Sequence, residues 1–108
     1  MQRRHAIQLA ATALAAPLLD AHAQAFPAKP IKLVIAFPAG GPTDITMRAL
    51  ADAAGKILGQ PVVVENKPGA GGTMPAQQLQ TAAPDGYTVA QIPLGVFRLP
   101  YTTKINWD

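Results

Sequence analysis

Between Ile31 and Phe37 the chain reads Ile-Lys-Leu-Val-Ile-Ala-Phe, nearly free of polar residues, and it stops abruptly at Pro38-Ala39-Gly40-Gly41-Pro42. A short, β-rich, continuously apolar run describes a strand covered on both faces, as in a parallel sheet. That one feature restricts the remainder severely, because parallel neighbours must be joined by crossovers of a dozen or more residues, usually helical. The following sequence supplies them. Thr43 is suited to cap a helix, with Asp44 in its first turn, where the macrodipole favours a carboxylate. Met47, Leu50, Ala51, Ala54, Ile57 and Leu58 recur at helical spacing, and Gly59 stands where a helix C-terminal glycine belongs. Pro61-Val62-Val63-Val64-Glu65 predicts a second strand, and Asn66 to Gly72 a flexible loop. Thr73 can cap a second helix running to about Ala83, with Pro75 in its first turn. Pro84-Asp85-Gly86 signals a turn before a third strand, Tyr87 to Ile92. The predicted order is β-α-β-α-β, an α/β parallel sheet with right-handed crossovers. From Pro93 to Asp108 no period is evident. Three strands leave an open edge on each side, so the sequence reads as the first part of a larger domain.

Residues 1–25 have the composition of a secretory signal peptide: Arg3 and Arg4, an apolar Ala/Leu stretch from Ala6 to Leu19, then Ala21-His22-Ala23 and Ala23-Gln24-Ala25 as overlapping small-residue cleavage sites. The apolar stretch is too short for a permanent span and contains Pro17. The alternative, a buried N-terminal helix, should place polar residues along one face. The Arg3-Arg4 pair leaves export by the general or the twin-arginine route open. Cleavage near Ala23 or Ala25 leaves 85 or 83 of the 108 residues, a marginal length for an independent core. With no cysteine in the sequence, disulfides cannot substitute for core size. The net charge of +3 falls to +2 without the leader, and the basic residues are scattered, which argues against nucleic acid as a partner.

Two glycine-rich loops, Pro38 to Asp44 and Pro68 to Thr73, each follow a predicted strand and precede a helix. In an open parallel sheet such loops lie at the carboxyl ends of the strands, where ligands bind. Glycine permits close backbone approach, and a helix N-terminus offers free N–H groups to an anion. Tight turns alone would also account for the glycines. No phosphate-loop pattern is present, and Gly69-Ala70-Gly71 fails the dinucleotide fingerprint because Met74 stands at the third glycine position. Both histidines, His5 and His22, fall in the leader, so the exported part has no histidine base or ligand. Asp44, Asp52, Glu65, Asp85 and Asp108 form no obvious acid/base pair. No cofactor, metal site or catalysis is expected. Asp44 could orient loop N–H groups, bind a ligand amine or stabilise the helix start. Asn66 could form a turn or clamp a loop, and Tyr101 and Trp107 suit packing.

Four blocks carry a resemblance: Lys29-Pro30-Ile31, Phe37 to Asp44, Leu58 to Gly72, and Ala83 to Thr88. In this order the chain resembles the amino-terminal region of Bug-type proteins, the extracytoplasmic solute receptors of tripartite tricarboxylate transporters. The resemblance implies a type II periplasmic-binding-protein-like fold of two lobes, here incomplete, with residues 26–108 forming the amino-terminal part of the first lobe. It implies a periplasmic receptor that closes on a small carboxylate and delivers it to a membrane permease. Carried over, ligand contacts fall on Phe37, Ala39, Gly40, Gly41, Thr43 and Asp44, with Gly71 and Thr73 in the second loop. Two departures stand out. Pro42 replaces a third glycine, and Pro93-Leu94-Gly95-Val96 offers only backbone where many members have a Ser/Thr-rich stretch. Members of the family continue well past Asp108, so this chain is expected to carry at most half of a two-lobed site. A small secreted module pairing through its sheet edges, or a non-functional fragment, is the alternative expectation.

Overall fold

The structure, a computed structural model, describes residues 24–105. The proposed leader, both histidines and Trp107 lie outside the described residues. Three parallel strands form one sheet: β1 (Ile31–Ile35), β2 (Val62–Asn66) and β3 (Thr88–Gln91), in the order β2-β1-β3. β1 pairs on one side from Ile31↔Val62 to Ile35↔Asn66, and on the other from Lys32↔Thr88 to Ile35↔Gln91. The apolar run that predicted a doubly covered strand is the central one. Val34 and Ile35, which point to opposite faces, are both fully buried.

Helix α1 (Pro42–Leu58) joins β1 to β2, and helix α2 (Met74–Thr81) joins β2 to β3. Because the chain steps to one side of β1 and then crosses to the other, the two helices cover opposite faces. Leu50, Ala54 and Leu58 of α1 share a groove with Leu33 and Val89, whereas Ala76 and Leu79 of α2 share another with Ile92. A 3-10 turn, Ala70–Gly72, leads into α2. A second 3-10 turn, Leu94–Arg98, and a short helix α3 (Leu99–Thr102) follow β3, so the segment without sequence periodicity is ordered locally rather than irregular.

The element boundaries differ from expectation in instructive ways. Helix α1 begins at Pro42, with Gly41 as its N-cap in extended geometry, so Thr43 is inside the first turn and does not cap. Proline's fixed φ and missing N–H suit the first helical position, and this moves the start back by one residue. Gly59 does end α1, in the left-handed region at φ +71°, with its N–H donating to Gly55 O. Helix α2 stops at Thr81, because Ala82 is already extended on the approach to Pro84. Thr73 occupies its N-cap position without a side-chain cap.

The apolar stripe of α1 is incompletely covered. Ala51 is buried, yet Leu50 is 55% exposed and Ile57 86% exposed. Three strands are too narrow to accept the whole stripe, and a groove of about 380 Å³ remains between α1, Leu33 and Val89. Among the described residues the buried apolar ones are Ile31, Val34, Ile35, Ala36, Ala51, Pro75, Ala76 and Val96, a small set concentrated on β1. With so few, each matters more than in a large core. Replacing Ile35 with Ala is expected to cost about 2–5 kcal/mol, a large share of the roughly 5–15 kcal/mol typical of a domain. A urea titration of the variant should show its midpoint displaced strongly downward, whereas Ile57→Ala on the exposed stripe should shift it little.

Candidate functional site

The order β2-β1-β3 reverses direction at β1, and a crevice forms outside the carboxyl ends of the strands at such a point. Three connections emerge there: the loop from Ala36 to Gly41, the loop from Lys67 into the turn at Ala70–Gly72, and the residues after Gln91. The second and third are pressed together. Gly72 has φ +88°, and a Cβ built on it would stand 2.9 Å from Pro93 Cγ and 3.7 Å from Ala36 Cβ. Backbone conformation and close approach therefore both demand glycine at 72, and the second loop abuts the chain just beyond β1.

The first loop is held by a buried carboxylate. Asp44 is 3% exposed. It accepts from Gly40 N–H at 2.8 Å, from Arg48 Nε at 3.0 Å to both oxygens, and from Asn66 Nδ2 at 2.9 Å. Asn66 Nδ2 also donates to Phe37 O at 3.0 Å, and Arg48 Nη2 donates to Asn66 Oδ1 at 2.9 Å. Both ends of the loop, a carbonyl at Phe37 and an amide at Gly40, are thus tied to one cluster drawn from α1 and the end of β2. The Arg48 hydrogen bond above all, then the Gly40 amide and the Asn66 amide, hold the Asp44 carboxyl at about 2, below its ordinary 3.8. Its charge faces inward and is paired with Arg48, so it does not oppose an anion at the neighbouring helix start.

Other charges are occupied too. Glu65 bridges Lys32 at 2.9 Å and Lys67 at 3.0 Å, and these contacts, Lys32 first, lower its pKa. Among the described residues, Arg98 and Lys104 have no carboxylate within ion-pair range.

The sequence-derived site residues can now be placed. Phe37 lends its carbonyl to Asn66, and Gly40, at φ +83°, lends its N–H to Asp44. Ala39 is exposed. Gly41 caps α1, its N–H reaching Pro38 O at a long 3.4 Å. The α1 ladder opens with Ile45 N–H to Gly41 O at 3.0 Å, so the amides of Thr43 and Asp44 precede it. Asp44 turns its carboxylate to the protein, the loop-orienting role among those weighed for it. Gly71 is exposed at φ +64°. Thr73 is buried, and its hydroxyl donates to Ala70 O at 2.9 Å. Asn66 is a clamp rather than a turn former. Arg48 is not among the residues expected from sequence, and Pro93 is marked there only as the start of the Pro93–Val96 stretch, not as the residue that crowds Gly72. The four-residue spacing from Asp44 would have indicated Arg48, whereas no local signal marks the Pro93 contact.

Residues 46–108 match the model of the tripartite tricarboxylate transporter family receptor, TctC. The chain belongs to this receptor family. A UPF0065 protein in the gbd 5' region of Cupriavidus necator is 62% identical over the whole chain, which spans 35% of that protein's length. The protein BugT of Bordetella pertussis is 43% identical over 77% of the chain and 24% of its own length. Among solved structures, a TctC solute binding protein from Polaromonas superposes with TM-score 0.67 at 40% identity, over 74% of this chain and 28% of that one. MatC from Rhodopseudomonas palustris with bound malate gives TM-score 0.57 at 45% identity, over 60% and 22%. The chain therefore spans about a third or less of these relatives' lengths, and its fold is an incomplete part of a Bug-type periplasmic binding protein. The family match begins inside α1, so the first glycine loop precedes it, within the stretch that aligns with the Cupriavidus necator protein over the whole chain.

The clamp makes stability depend on acid. A carboxyl with a depressed folded pKa contributes stability that is complete above its unfolded value near 3.8 and is lost as pH falls through about 2. Urea midpoints of the wild type should decline across that window. Asp44→Asn should be less stable at neutral pH and show a flatter profile between pH 4 and 2.

Proposed function

We propose that this chain contributes the first-lobe edge of a periplasmic receptor that binds a small carboxylate by backbone amides and passes it to a membrane permease. In this reading residues 1–25 direct export and are cleaved near Ala23 or Ala25. The chain performs no catalysis, and a second lobe completes the site by closing over the ligand. The ligand carboxylate sits at the start of α1, against the amides of Thr43 and Asp44 and the backbone at exposed Ala39 and half-buried Gly41, with Gly71 facing it from the second loop. Family membership supports the receptor role, and the malate bound to the related MatC supports the carboxylate class.

The observation that carries the reading is Gly41. Its φ is −77°, and a Cβ there would meet nothing nearer than Pro38 O at 3.5 Å. The fold does not require glycine at this position, unlike Gly40 and Gly72. Serine or aspartate would cap the helix a few tenths of a kcal/mol better. A glycine retained where the protein itself has room for a side chain fits a surface kept clear for a ligand.

Calorimetric titration of the complete gene product with succinate, malate and citrate tests the proposal, saturable one-site binding of at least one being the expected result. Gly41→Asp, which caps the helix at least as well as glycine, should leave the unfolding free energy no more than about 0.5 kcal/mol below wild type while weakening binding at least about tenfold, equivalent to about 1.4 kcal/mol. Absence of binding to all three acids, or undiminished binding by the variant, contradicts the proposed site.

A further inference from the structure

Gln91 is the last residue of β3 and stands opposite Ile35, the last residue of β1. It therefore marks the point in the crevice where the strand order reverses. Strand alternation places it on the same face as Leu33, Ile35 and Val89, the face covered by α1. Its Oε1 is buried and accepts no hydrogen bond from any protein group, and it is the one such side-chain atom among the described residues. The polar side chains at this end of the sheet are committed elsewhere: Asn66 to Phe37 and Asp44, Arg48 to Asp44 and Asn66, and Thr73 to Ala70.

A buried acceptor without a donor is destabilising, and an apolar side chain of equal length would remove the penalty. Such a group retained at a binding crevice is a sign of a partner that arrives with the ligand. A carboxylate oxygen cannot be that partner, since it also only accepts. We infer that Gln91 is a specificity-determining residue: its amide oxygen accepts a hydrogen bond from a hydroxyl or ammonium group carried by the ligand beside its carboxylate. The receptor would then prefer hydroxylated or aminated acids over their unsubstituted counterparts. This rests on the carboxylate-receptor reading and adds to it the chemical feature selected.

Malate and succinate differ by one hydroxyl, so their affinities for the complete gene product isolate the contact. Wild type should bind malate at least about tenfold more tightly than succinate. Gln91→Met, unbranched and of matching length, should bring the ratio close to one and also raise the urea midpoint of the unliganded protein, because the orphaned oxygen is gone. Gln91→Leu provides the same test with a second apolar side chain should methionine pack poorly. A malate-to-succinate ratio unchanged by the substitution would mean that water or the protein meets the oxygen, and would overturn the inference alone. A lowered midpoint in both variants would show an internal partner for the amide and overturn it as well. Failure of wild type to bind any dicarboxylate removes the receptor reading and the inference together.

Discussion

Everything in this fold depends on β1 being buried on both faces. Val34 and Ile35 lose all contact with solvent only because α1 lies over one face and α2 over the other. That arrangement in turn requires the chain to step across β1 between its second and third strands. The reversal that buries the central strand is thus the same event that parts the loops at its carboxyl end. Core and crevice are consequences of one topological choice, and a change that weakens the central strand would reach the loops directly.

The loop after β1 is further fixed by a small polar cluster. An ionised Asp44 binds a backbone amide within its own loop, an arginine one helical turn along, and an asparagine from the neighbouring strand. The cluster consumes charge rather than displaying it. What remains at the carboxyl ends of the strands is backbone, hydroxyl and the start of a helix, a surface suited to an anion. Lys32 and Lys67 could have provided a stronger electrostatic hold, but both are engaged with Glu65.

Much of the architecture was legible in the sequence because its signals are local. The unbroken apolar run announced a central parallel strand, Gly59 announced the end of α1, and Pro84-Asp85-Gly86 announced the turn before β3. Local signals also misled. Thr43 is a better capping residue than Gly41, yet Pro42 between them takes the first helical position and excludes Thr43 from the cap. The stripe on α1 correctly predicted a helix but not how little of it the three strands would cover. The site was legible as two loops and not as a mechanism for holding them. Asn66 reaches Asp44 across 22 positions of sequence, and Gly72 needs its small size because Pro93 arrives from beyond the next strand. Tertiary contacts of that kind leave no pattern in a sequence read alone.

The lead-in to β1 has a geometric consequence. Phe26 packs on Tyr87 with ring centroids 4.9 Å apart, Lys29 Nζ lies 4.6 Å from the centre of the same tyrosine ring, and the Tyr87 hydroxyl accepts from Ala28 N–H at 2.8 Å. Tyr87 immediately precedes β3, so this aromatic lock secures the chain at the amino pole of the sheet. The loops that follow β1 and β2 occupy the opposite pole, a strand's length away, roughly 17 Å for five residues. A group attached at Gln24 would therefore stand away from those loops and leave the carboxyl ends of the strands open.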